Sequence, residues 1–150
     1  MNQADLIDIE AIKQLKARYF RFLDLKRWED FGQIFTDDAT MATPADVPDA
    51  VTVGRAEIVA MVSRGVGAAV TVHHGHMPEI HIDTPTTAHG VWAMEDMLWW
   101  EGDGPARHMH GYGHYHEDYV KVDGEWRIRV NRLTRLRVDV EGPGGGGGSG

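Results

Sequence analysis

The sequence predicts an α+β fold: a cone-shaped, curved, mostly antiparallel β-sheet closed by three N-terminal helices around a pocket. Three observations carry this. Apolar residues at helical spacing fill the first part of the chain, extended β-forming segments follow from Val70 onward, and Asp123-Gly124 stands between the last two of them as a hairpin turn. Gly111 and Gly113, inside one of the long β segments, permit the bend that a cone requires.

The first helix is expected over 6–27, with Ile9, Ile12, Leu15, Tyr19, Phe22 and Leu23 as its apolar stripe. Lys13, Lys16 and Arg18 fall largely off that stripe, and Asp5 or Asp8 is placed to cap the start. A short second helix over 28–35 turns Trp28, Phe31, Ile34 and Phe35 inward, and Thr36-Asp37-Asp38 ends it. A short strand at 40–42 and a loop at 44–50 follow. The third helix opens at Gly54 and runs to about Ser63, with Ile58, Met61 and Val62 inward and Gly65 and Gly67 stopping it. Strands are then expected at 70–74, 79–83, 87–100, 107–122 and 125–140, with a longer turn at 101–105.

The run from Gly142 to Gly150 reads as a flexible tail or linker, which leaves residues 1–141 as one domain. A hydrophobic content of 42% and five tryptophans mark a globular chain. With 23 acidic against 15 basic residues the net charge is −8, which argues against nucleic acid as a partner. The basic stretch 127–137 alternates with apolar residues as a strand does. There is no cysteine, so disulfides, thiolate metal sites and a cysteine nucleophile are excluded. Neither a signal peptide nor a long apolar run is present, so a cytoplasmic protein without a membrane partner is expected.

Two pieces bear chemistry. Tyr19-Phe20-Arg21-Phe22-Leu23-Asp24 closes the first helix, and His73-His74-Gly75-His76 lies in the first long β segment. An Asp and a His brought together in an apolar pocket make a base oriented by a carboxylate, suited to removing a proton from carbon. An Asp at a helix C-terminus opposes the helix dipole by several tenths of a kcal/mol, so local helix physics does not favour Asp24 where it stands. Strict alternation puts His74 with Val70 and Val72 and turns it inward, whereas His73 shares a face with Thr71; a bend at Gly75 changes that assignment. Tyr19 and Asp24 are five residues apart, roughly 140° around an ideal helix, so both face one pocket only if the cavity wraps the helix tip.

These pieces, with Ile12-Lys13-Gln14-Leu15, Leu23 to Trp28, Ile34 to Ala39 and the closing Tyr119 to Ile128, resemble the nuclear transport factor 2-like (SnoaL-like) superfamily over residues 9–140. The branch most similar contains hexachlorocyclohexane dehydrochlorinase and bile-acid 7α-dehydratase, with scytalone dehydratase more distant. The resemblance implies that Asp24 orients His73, that His73 takes a proton during an elimination, and that Tyr19 assists. It selects the first histidine, with His74 in reserve. The dehydrochlorinase has a lysine where Tyr19 stands and adds an arginine on the last strand; here that position falls near Asn131, with Arg129, Arg132 and Arg135 close by. The resemblance also implies a homo-oligomer, a trimer in the nearest branch and dimers in others.

The expected activity is therefore a cofactor-independent lyase, a dehydratase or other β-elimination enzyme, acting on a small, apolar, cyclic substrate. Catalysis falls to His73, Asp24 and Tyr19, and substrate contacts to Tyr115, Asn131, Asp96 and His74. The tryptophans and methionines, with Tyr115, would supply the apolar enclosure. Asp96 is a second pocket acid or a partner for a C-terminal arginine. An isomerase sharing the first step and a non-catalytic binder of a hydrophobic ligand stay open. So does a metal site, because His108 with His110 and His114 with His116 share a strand face, opposite Tyr115. That outer face, from Trp99 to His116, is the expected oligomer contact.

Overall fold

A computed structural model describes residues 1–44, 49–102, 104 and 107–142. The chain runs α1 (Gln3–Asp24), α2 (Trp28–Gln33), β1 (Phe35–Ala42), β2 (Thr52–Val53), α3 (Arg55–Val66), β3 (Val70–Thr84), β4 (Thr87–Trp99), β5 (His108–Val122) and β6 (Glu125–Glu141). The six strands form one curved sheet in the order β2-β1-β6-β5-β4-β3, with the helices laid across it. Among the described residues only the β1–β6 pair is parallel, and the sheet stays open with β2 and β3 at its edges. The α+β architecture is as the sequence predicts.

Helix α1 starts three residues before the expected point because Asn2, rather than Asp5 or Asp8, is its cap. The Asn2 side chain accepts the Asp5 amide at 2.8 Å and Asp5 returns a bond to the Asn2 amide at 3.2 Å, a full capping box. The helix stops at Asp24, short of Arg27, because Lys26 adopts the left-handed conformation with φ 60°. Arg27 N–H then reaches Phe22 O at 2.8 Å and Lys26 N–H reaches Leu23 O at 3.1 Å, the paired closure of a Schellman end.

Helix α2 is shorter than predicted and strand β1 longer. Phe35, fully buried, belongs to β1, whose alternate residues Ala39 and Met41 also enter the core while the backbone pairs with β6. Strand β2, unforeseen in the sequence, pairs Val53 with Thr40 and Thr52 with Met41. Helix α3 runs through Gly65 and closes at Gly67. Segments 70–74 and 79–83 are one strand, β3, with a bulge between Gly75 and Pro78. Asp123 and Gly124 both have positive φ, 52° and 81°, and join β5 to β6 as a tight two-residue hairpin. The predicted loop at 44–50, the turn at 101–105 and the glycine-rich tail fall partly or wholly outside the described residues.

The core lies between the helices and the concave face of the sheet. Tyr19, Phe31 and Phe35 form an aromatic cluster with centroids 5.1–6.2 Å apart, surrounded by Ile12, Leu15, Ile58 and Ile128. Gly75 allows α1 to approach β3: a Cβ there would stand 2.6 Å from the Phe20 ring. Two bulges in β6, marked by register shifts opposite Asp118/Tyr119 and Tyr112/Gly113, reset which side chains face inward. Ile128 is inward before the first; Asn131 and Leu133 are inward after it.

Candidate active site

Asp24 and His73 meet where the C-terminus of α1 abuts β3. The His73 ring Nδ1 lies 2.7 Å from Asp24 Oδ1, and the His73 backbone N–H donates to Asp24 Oδ2 at 2.9 Å. Thr71, one step along the same inward face, donates its hydroxyl to Oδ1 at 2.9 Å. The Lys26 ammonium donates to Thr71 Oγ1 at 2.7 Å, so the threonine's own proton is directed at the carboxylate. The left-handed turn at Lys26 is what carries its side chain back to β3. The helix end that disfavours Asp24 is thus offset by three donors from β3.

This pattern sets the tautomer of His73. The carboxylate only accepts, so Nδ1 carries the hydrogen and Nε2 carries the lone pair. His73 lines a cavity of about 210 Å³, and Asp24 stands behind it. Tyr19 and Asp24 therefore need not share a wall: Tyr19 lines the cavity itself, and Asp24 acts from the far side of the imidazole.

The alternation argument for His74 is overturned. Thr71 and His73 are the inward residues of β3, while Val70 is exposed and His74 points to the outer face. Polar donors, and not the valines, take the inward positions because the Asp24 carboxylate waits there for hydrogen bonds. His74 and His76 instead approach Glu95 at 3.7 and 3.3 Å, and His110 Nε2 reaches the same carboxylate at 2.9 Å. The His110 hydrogen bond is the main reason the Glu95 pKa is lowered. His74 is thus removed from the candidate substrate contacts.

Four other candidates converge on the cavity. Tyr19 from α1, Asp96 from β4, Tyr115 from β5 and Asn131 from β6 line it, with Leu23, Met41, Met61, Val62, Val66 and Leu133 as its apolar wall. Burial raises the pKa of both tyrosines, and the Glu117 charge adds to the shift of Tyr19. Each is held as a neutral hydroxyl. Asp96 is the cross-strand partner of His73 and is gripped by Arg135 through Nη1 at 2.6 Å and Nη2 at 3.1 Å. Both readings of Asp96 therefore apply at once. None of the five tryptophans lines the cavity. Trp92 and Trp126 are core residues whose indoles donate to Tyr119 and Asp8, and Trp99 stacks on His108 at the outer surface.

The residues missed by sequence reasoning are Lys16 and Glu117. Lys16 is fully buried on the α1 stripe, 3.0 Å from the equally buried Glu117 carboxylate. Its ammonium lies 3.6 and 3.7 Å from the ring centroids of Tyr19 and Tyr115. Glu117 also accepts from Tyr119 at 2.9 Å and from the Asn131 amide at 2.8 Å. Burial brings the Lys16 pKa down to about 8, against the opposing pull of Glu117. The signal was present: Lys16 is one turn from Ile12 and three residues from Tyr19, in phase with the buried stripe, and Glu117 shares a strand face with Tyr115 and Tyr119.

Among the described residues, no group of three or more His, Asp or Glu side chains is arranged to hold a metal ion. His114 and His116 lie side by side on β5, and His116 bonds Thr134 at 3.0 Å. Among the described residues, no helix is long and apolar enough to cross a membrane.

Comparison with known proteins places the chain in a family. The probable cyclase FGR4 of Gibberella zeae is 27% identical over 133 residues, covering 83% of this chain and 89% of that protein. A scytalone dehydratase-like protein of Novosphingobium aromaticivorans superposes with a TM-score of 0.83 at 23% identity, covering 93% of this chain and 91% of its own. The dehydrochlorinase LinA-type3 of Novosphingobium barchaimii gives 0.78 at 14% identity, with 91% and 92% covered. These two superpositions show a shared fold. The model of the SnoaL-like domain matches residues 4–132, and the chain belongs to that family.

Proposed function

We propose that the protein is a cofactor-independent lyase that removes a proton from carbon of a small, largely apolar cyclic substrate and expels a β leaving group. One observation carries this reading: His73, tied to Asp24 through Nδ1, lines an apolar cavity that also holds two neutral tyrosine hydroxyls.

In this mechanism Nε2 of His73 takes the proton, and Asp24 stabilises the imidazolium that forms. Tyr19 donates a hydrogen bond to the substrate carbonyl or to the departing oxygen, with Tyr115 beside it. Their raised pKa values suit hydrogen bonding without proton loss. The C–H electrons form the new double bond as the leaving hydroxyl departs, and that hydroxyl takes the proton back from His73 to leave as water. The apolar wall keeps bulk water from the carbanion. If the proton returns to a different carbon, the same dyad performs an isomerisation; the products separate the two. The relatives named as dehydratase, dehydrochlorinase and cyclase support an enzymatic role.

The test is proton abstraction itself. Wild-type protein should exchange the α-hydrogens of cyclic ketones with D₂O, and should convert β-hydroxy ketones to enones, both followed by NMR. His73→Ala and Asp24→Asn should each lose these activities by at least about 10²-fold. Near-normal exchange in both variants would overturn the mechanism.

A further inference from the structure

The buried network beside the cavity has a direction. Lys16 only donates, and it donates to Glu117 Oε2 at 3.0 Å. The Trp92 indole only donates, and it meets the Tyr119 oxygen at 2.9 Å, so the Tyr119 proton must go to Glu117 Oε1. Glu117 thus receives two donors whose polarity leaves no choice. The third group on it, the Asn131 amide at 2.8 Å from Oε2, must also present its donor end. Asn131 is buried and lines the cavity, so with Nδ2 held by Glu117 its carbonyl Oδ1 is the end left for a ligand. An amide that could otherwise turn either way is oriented by the charges behind it.

We propose that Lys16 and Glu117 are positioning residues that lock Asn131 with its carbonyl oxygen toward the cavity, so that the site selects ligands carrying a hydroxyl donor. The cavity then presents acceptors at His73 Nε2 and Asn131 Oδ1 and a donor at Tyr19, whose oxygen takes the Tyr115 proton. Its complement is a hydroxylated cyclic ketone: the carbonyl meets a tyrosine, and the hydroxyl meets Asn131. A halogenated ring of the same size leaves the Asn131 carbonyl unpaired in a buried site, which disfavours it.

The inference rests on the cavity being the substrate site, and the test separates the two. The probes are 4-hydroxycyclohexanone and 4-fluorocyclohexanone, alike in size and carbonyl but not in donor, and neither can undergo β-elimination. Binding is followed through the His73 ring resonances. Wild-type protein should bind the hydroxy ketone about 5- to 10-fold more tightly, the value of one net hydrogen bond. In the double variant Lys16→Met/Glu117→Gln the Tyr119 proton claims the new amide's oxygen, so its nitrogen faces Asn131 and turns it around; with Lys16 present the amide oxygen would stay on the Asn131 side. The preference should then fall to about 1 or invert, while affinity for the fluoro ketone stays within about twofold. A purely structural role would weaken both ligands together.

A preference retained in Lys16→Met/Glu117→Gln overturns the positioning role, and equal binding of both ketones by wild type overturns the whole inference while leaving the cavity reading intact. If neither ketone moves His73, the cavity reading falls and the inference with it. Should the double variant fail to fold, wild type with ¹³C-labelled asparagine decides: the Asn131 carbonyl carbon should shift with the hydroxy ketone and not with the fluoro ketone. The same response to both rejects the proposal.

Discussion

Asp24 and His73, 49 residues apart in the chain, are bonded twice: the carboxylate takes the ring hydrogen at Nδ1 and the backbone N–H of the same histidine. The backbone bond fixes where β3 sits against α1, and the ring bond fixes how the imidazole points. A single side chain thereby sets both position and tautomer. In Asp24→Asn the amide can donate to Nδ1 and push the hydrogen onto Nε2, which removes the lone pair the reaction needs. The expected loss of turnover is about 10³-fold with little change in KM, read by steady-state kinetics on an accepted substrate.

Thr71→Val tests the support of that carboxylate. It removes the donor to Oδ1 and leaves the Lys26 ammonium without its acceptor. Turnover should fall about 5- to 20-fold, well short of the His73→Ala loss, since two of the three donors to Asp24 remain. A fall as deep as that of His73→Ala would mean that Thr71 itself touches substrate.

Lys16 makes stability depend on alkaline pH. Its pKa is about 8 in the folded chain, lowered from 10.5 chiefly by burial. Between these values the unfolded chain binds more protons, so this group makes stability rise as pH climbs from about 8 to 10.5, by on the order of 3 kcal/mol. Below pH 8 the cost of the buried ammonium is fully present. Urea denaturation across this window should show the rise in wild type and lose it in the double variant Lys16→Met/Glu117→Leu. Lys16→Met alone leaves Glu117 buried without its cation and should cost about 3–5 kcal/mol.

Gly111→Ala should destabilise the fold through the Asp96–Arg135 pair. A Cβ at Gly111 would fall on both Arg135 Nη1 and Asp96 Oδ1, which belong to side chains only 8% and 7% exposed. Backbone relief is limited because Gly111 is paired on both edges, with Asp96 on β4 and Val138 on β6. A loss of about 3 kcal/mol in chemical denaturation is expected. Gly104→Ala, with no neighbour near its Cβ position, is the control and should leave stability within about 0.5 kcal/mol.

Much of the fold was legible because local chemistry and global structure agree. The stripe through Ile12, Leu15, Tyr19, Phe22 and Leu23 marks α1, and Asp123-Gly124 with two positive φ values marks the last hairpin. Tyr115 faces inward, opposite the outer histidines, as alternation on β5 requires. Alternation misassigned β3, where the inward face is polar. Hydropathy orders a strand by what avoids water, and it is blind to a carboxylate arriving from a distant helix to bind Thr71 and His73. Lys16 escapes hydropathy for the same reason: its charge hides a position whose phase is buried, and its compensation lies 101 residues away on Glu117.

The sequence by itself determined the three helices and the β-rich part that follows them, the hairpin, the family to which the chain belongs and the residue types available for chemistry, because periodicity and turn propensity are local. Tertiary structure decided which histidine meets Asp24, that Asp24 stands behind the ring and Tyr19 before it, and that Asn131 and Leu133 face the cavity after a bulge that inverts their side of β6. It also decided that a buried lysine and glutamate lie beside that site. Those outcomes depend on pairings between charges and hydrogen-bonding groups far apart in the chain. Their energy exists only once water has been removed from between them.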